Sequence, residues 1–116
     1  EPMADEKIIE WEEEAKYVIQ DVGFALNSIA ISSNLPQTKS QIFLNIETRE
    51  KQKLCVELSA SGFRVVSDTF DEAGDDYPDK TYYETPYALF DKYSSEFRNC
   101  FSAELIKRLN NMPQLS

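Results

Sequence analysis

The sequence predicts an α+β domain: a long N-terminal helix, a three- or four-stranded antiparallel meander, then a short helix and a C-terminal helix packed on the sheet. Three observations carry this expectation. Apolar residues recur at spacings of three and four from Ile8 to Ile29, they alternate at period two from Ile42 to Val66, and a helical pattern returns after Pro86. An antiparallel sheet with one apolar face requires cover, and the flanking helices supply it.

The first helix is expected from about Asp5 to Ser32, with Ile8, Trp11, Ala15, Val18, Val22, Ala25 and Ile29 on one face. Ile19, Leu26 and Ala30 widen that stripe, while Gly23 interrupts it at a cost of about 1 kcal/mol relative to Ala. Asp5, Glu6, Glu10, Glu12, Glu13 and Glu14 place negative charge toward the positive end of the helix dipole, and read as a solvated face. Core packing is the default for the apolar face, with docking into a partner's groove as the alternative.

Asn34 to Ser40, with Pro36, reads as a linker loop. Ile42, Leu44 and Ile46 then alternate with Phe43, Asn45 and Glu47, and Thr48 to Gln52 make a charged turn. Leu54, Val56 and Leu58 alternate with Cys55 and Glu57, Gly62 turns the chain, and a third strand is expected over Phe63 to Thr69. The acidic stretch Asp71 to Lys80 lacks the ligand register of a calcium loop and reads as a mobile solvated loop. Thr85 as cap and Pro86 at the first helical position open a short helix, in which Tyr87, Leu89, Phe90 and Tyr93 are expected in the core.

The last helix is capped by Ser94 or Ser95, carries Glu96 in its first turn and Lys107 and Arg108 near its end, and stops at Pro113. At roughly 100° per residue, Cys100, Phe97, Phe101, Leu105, Met112, Leu109 and Ile106 span an arc of roughly 240°. Packing on one side of a core needs only about 100° or a little more, so part of the arc is free to face a partner.

The 116 residues are enough for one domain that buries its own core. Residues 1–4 read as a tag remnant or disordered start, 5–112 as the domain and 113–116 as a tail. No apolar run approaches a membrane span and no leader is recognisable, so a cytoplasmic or nuclear location is expected. Cys55 and Cys100 lack metal-ligand spacing and read as reduced packing thiols. A formal charge of −9 opposes nucleic-acid and anionic membrane partners. With no histidine and only three glycines, histidine-dependent catalysis, the commonest zinc sites and phosphate-cradling loops are excluded. No catalytic residue, metal or cofactor is expected, and the residues favour a binding module over an enzyme.

Asn45-Ile-Glu-Thr-Arg-Glu50, Cys55-Val-Glu-Leu58, Ser61-Gly-Phe-Arg-Val-Val66 and Tyr83-Glu-Thr-Pro-Tyr-Ala-Leu-Phe-Asp91 continue into Glu96-Phe-Arg98 and Leu105-Ile-Lys-Arg-Leu109. This succession, from about Trp11 to Met112, resembles the glycogen synthase kinase-3 interaction protein family. A similar domain occurs near the start of clustered-mitochondria proteins. The resemblance implies an adaptor without activity of its own, which binds glycogen synthase kinase-3 through its last helix and can restrain it. That helix is also similar to the kinase-binding segment of axin, with Phe101, Leu105, Ile106, Arg108, Leu109 and Met112 at the matching positions. Vertebrate members also anchor the regulatory subunit of protein kinase A through the first helix. Val18, Ile19, Val22 and Leu26 would form that surface here, but Gly23 stands where the family has an anchoring leucine, so anchoring is not expected. A scaffold of the same fold serving a mitochondrial or ribonucleoprotein partner is the alternative.

Overall fold

Trp11, Ala15, Val18 and Val22 share one side of the first helix, and in a computed structural model that side packs onto a sheet. The structure describes residues 10–74 and 76–110. Helix α1 runs Trp11–Val22, with Trp11, Ala15 and Val22 buried. The Trp11 indole N–H donates to the Lys39 carbonyl at 2.9 Å, so the one polar atom of a buried indole is satisfied.

The helix is shorter than the sequence predicts. It ends at Gly23, passes through a single 3-10 turn at Gly23–Ala25, and the chain then extends as strand β1, Ser28–Ile31. The expected helical residues Ile29 and Ala30 are therefore strand residues. Ile29 faces Ile46 and Ile31 faces Leu44, and cross-strand pairing of branched apolar side chains overrides the weak helical preference of this stretch. Of the anticipated helix, residues 5–9 lie outside the described residues.

Strands β2 (Gln41–Glu47), β3 (Lys53–Ser59) and β4 (Gly62–Ser67) follow, and β1 completes a four-stranded antiparallel sheet in the order β1-β2-β3-β4. Ile42, Leu44, Ile46, Leu54, Val56, Leu58, Phe63 and Val65 form its core face. On the far face Phe43, Cys55 and Val66 make a second small cluster with Leu35 against it. Cys55 pairs with Ser67 but Val56 with Val65, a bulge that leaves Val66 without a partner across the strands. At the β3–β4 turn Gly62 has φ +122, and a Cβ there would collide with the Tyr83 carbonyl. Phe63 and Tyr83 exchange two backbone hydrogen bonds of 2.8 Å, which brings the next segment alongside β4.

That segment is more tightly tied than a solvated loop. The Asp71 carboxylate accepts from Ser32 Oγ at 2.5 Å and from the side-chain amides of Asn34 and Asn45, each at 2.7 Å. Asp79 accepts from the hydroxyls of Tyr83 and Tyr93, both at 2.7 Å, and from the Thr81 N–H at 3.0 Å. Two of the loop's acids are thus structural anchors.

Helix α2, Pro86–Tyr93, starts as expected: Thr85 Oγ1 accepts from the Ala88 N–H at 3.1 Å and Pro86 takes the first turn. Leu89 and Phe90 are buried, but Tyr87 is 37% exposed rather than a core residue, its hydroxyl donating to Asp21 at 3.3 Å. Helix α3 is Ser95–Asn110. Both cysteines are free thiols, and burial pushes the Cys55 thiol up.

Candidate docking helix

The start of α3 is fixed from a distant turn. Ser94 Oγ accepts from the Phe97 N–H at 2.9 Å and donates to Glu50 Oε1 at 2.7 Å. The other Glu50 oxygen accepts the Glu96 N–H at 2.9 Å and, at 3.4 Å, the Ser95 hydroxyl. A carboxylate at this end satisfies orphan N–H groups and meets the positive pole of the helix. Desolvation pushes the Glu50 carboxyl up, but the Glu96 N–H and the Ser94 hydroxyl outweigh it and hold it down at about 2.

From that fixed start the apolar ridge climbs out of the protein. Phe97 is buried, 5.1 Å from Phe90 between ring centroids. Phe101, half-buried, stacks on Phe97 at 5.6 Å and also meets Phe24 at 5.9 Å and Tyr87 at 5.0 Å. Beyond it Leu105, Ile106 and Leu109 are 51%, 57% and 58% exposed. Arg108 is exposed and its Nε donates to Glu104 at 3.2 Å, one turn back on the same helix. Met112 lies outside the described residues. Phe101 is thus shared between core and surface, while Leu105, Ile106 and Leu109 point away from the protein's own core.

Residues 11–112 match the model of the GSKIP domain. The chain belongs to the GSKIP domain family. Over 96 residues it is 42% identical to the GSK3-beta interaction protein of Gallus gallus, covering 83% of this chain and 68% of that protein. Over 101 residues it is 38% identical to the protein of the same name in Danio rerio, covering 87% and 75%. The GSK3B-interacting protein of Homo sapiens is 38% identical over 96 residues, covering 83% and 68%.

In this GSKIP domain the four first-helix positions considered for protein kinase A do not share one exposed face. Val18 and Ile19 are partly exposed on α1, Val22 is fully buried, and Leu26 is buried beyond the helix end. Glu50 was not singled out by the sequence, although it ends one of the motifs that carry the family resemblance. Tyr87 and Phe24 were likewise missed as surface groups.

The acidic segment lines a cleft of about 750 Å³ with Val66, Asp68, Glu72, Tyr77, Asp79 and Tyr93. Tyr83, with Tyr93, holds the Asp79 carboxyl well below the usual range despite partial burial. Burial, then the carboxylate itself, pushes Tyr83 up to about 12 and raises Tyr93 as well. This trio stays ionised at Asp79 and protonated at both phenols around neutrality, so it offers no proton donor or acceptor poised for acid–base chemistry. Among the described residues no group of three His, Cys, Asp or Glu side chains is placed to hold a metal, and no helix is long and apolar enough to cross a membrane.

Proposed function

We propose that the chain is a non-catalytic adaptor that binds glycogen synthase kinase-3 by laying α3 into a hydrophobic groove of the kinase, and that occupying the groove restrains the enzyme. The names of the relatives supply the partner. The observation that carries the binding mode is the split character of α3: Glu50, Ser94, Phe97 and Phe101 fix its first half, while Leu105, Ile106 and Leu109 present apolar surface that the fold does not use. Anchors at i, i+4 and i+8 along Phe101, Leu105 and Leu109 suit a helix in a groove, and Met112 continues the series. Arg108, at the edge of that ridge, exchanges Glu104 for an acid on the groove's rim. Protein kinase A anchoring is left out of this function. Burial of Val22 and Leu26 and the absence of a side chain at Gly23 support leaving it out. The adaptor works in the cytoplasm or nucleus, where the kinase is met.

Calorimetric titration of the kinase with the native chain and with Leu109→Asp tests the reading. Leu109 is exposed, so the variant keeps its fold, verified by circular dichroism. Loss of a central anchor should weaken binding roughly thirtyfold or more, about 2 kcal/mol. A native chain that does not bind refutes the assignment and passes the same surface to another protein partner.

A further inference from the structure

Seven large hydrophobic side chains are exposed among the described residues, and five of them, Phe24, Tyr87, Leu105, Ile106 and Leu109, either lie on α3 or touch the Phe101 ring. They are not scattered. Between α2 and α3 runs a groove of about 300 Å³, walled by Tyr87, Ala88 and Asp91 on one side and Phe97, Arg98, Phe101 and Ser102 on the other. Arg98 Nε donates to Asp91 at 2.6 Å across it, which ties the two walls together.

The groove and the outer ridge share one line. At roughly 100° per residue, Leu105 and Leu109 both fall between Phe101 and Ser102, within the arc of the groove's α3 wall. A partner seated on Leu105 and Leu109 therefore looks straight down the helix into the groove. Area points the same way: three half-exposed side chains on α3 offer a few hundred Å², against roughly 800 Å² per partner in a stable interface. The apolar surface contiguous with that ridge is Phe101 with Tyr87 and the groove beside them.

We infer that the α2–α3 groove is a second part of the docking surface, taking an apolar side chain from the lip of the same kinase groove that receives α3. This rests on the binding mode proposed above and extends the contact from one helix to two. The partner's side chain lies against the touching Tyr87 and Phe101 rings, in the space that the small side chains of Ala88 and Ser102 leave open. Asp91 and Arg98, already paired, present no unneutralised charge to it.

Ala88→Gln and Ser102→Gln test this. Both positions are exposed and both substitutions are uncharged and helix-compatible; each narrows the groove from a different wall, Ala88 from α2, off the helix that carries Leu105 and Leu109, and Ser102 from α3, one turn before Leu105. With both variants shown by circular dichroism and thermal melts to be folded like the native chain, calorimetric titration of the kinase should show at least tenfold weaker binding for each. Loss on Leu109→Asp with native affinity in both glutamine variants overturns the groove contact and leaves the helix contact standing. A native chain that does not bind the kinase overturns both.

Discussion

Glu50 and Ser94, 44 residues apart in sequence, meet at 2.7 Å and join the β2–β3 turn to the first turn of α3. The contact sets where α3 begins and therefore the direction in which its free half points. Because the same carboxylate also accepts the Glu96 N–H, it serves as a cap supplied by another part of the chain.

Replacing Glu50 by Gln should lower stability by about 1 kcal/mol, the usual worth of a cap. In a domain of this size that is roughly 4–8 °C in Tm by calorimetry. The carboxyl sits at about 2 in the fold against the ordinary 4.5. A depressed folded value means that its stabilisation is complete above about pH 4.5 and is lost as pH falls toward 2. Asp71 and Asp79 act in the same direction, so the sign of Glu50's share is read from the difference: the gap in Tm between native and variant should shrink over that window.

The ridge along α3 should divide into residues that hold the fold and residues that do not. Phe97→Ala removes a buried ring packed on Phe90 and should cost about 3–5 kcal/mol in urea denaturation. Leu105→Ala and Leu109→Ala, at exposed positions, should each change stability by less than about 0.5 kcal/mol.

Two glycines should respond in opposite directions. Gly23 has the helical φ of −58, and a Cβ there would lie 3.7 Å from Ile29 Cγ2, an ordinary contact. Gly23→Ala should therefore stabilise by about 0.4–1 kcal/mol. Gly62→Ala meets both a positive φ and the Tyr83 carbonyl, and should destabilise by about 2 kcal/mol or more. Thermal melts of the two variants check the contrast.

Tyrosine absorbance should report the Asp79 anchor. Tyr83 is pushed up to about 12 by burial and by donation to the carboxylate, and Tyr93 is raised as well. In an alkaline titration both phenols should ionise above the ordinary tyrosine range, and Asp79→Asn should bring them down. A raised folded value means that the stabilisation is fully present below about pH 10 and is lost as pH rises through 12.

The sheet was legible wherever burial of one face imposes alternation, which is why Ile42 to Val66 resolved into three strands with accurate turns. The first strand was not, because Ile29 satisfies two periods at once: it continues Val22 and Ala25 at helical spacing and equally pairs with Ile31 at strand spacing. Only the partners Ile46 and Leu44, distant in sequence, decide between them. Thr85 was legible as a cap, and Ser94 as one of two candidates beside Ser95, because a cap acts within three residues. The anchoring of Asp71 to Ser32, Asn34 and Asn45 was invisible for the opposite reason. At the candidate site, the exposure of Leu105, Ile106 and Leu109 follows from an apolar arc wider than one core can use. Tyr87 misled because a tyrosine ring pattern in an eight-residue helix does not reveal which rings stay at the rim.

No residue of α3 beyond Phe97 is fully buried, and its outer turns are held by their own hydrogen-bond ladder and the Glu104–Arg108 pair. An isolated helix of that length is marginal in water. Amide hydrogen exchange should therefore grade along the helix, slow near Phe101 and fast toward Leu109, and under the proposed binding mode the fast amides should slow when the kinase is added. Part of the binding free energy is then absorbed in quieting those turns, so substitutions that raise helix propensity on their solvent-facing side should tighten the complex without making a single new contact.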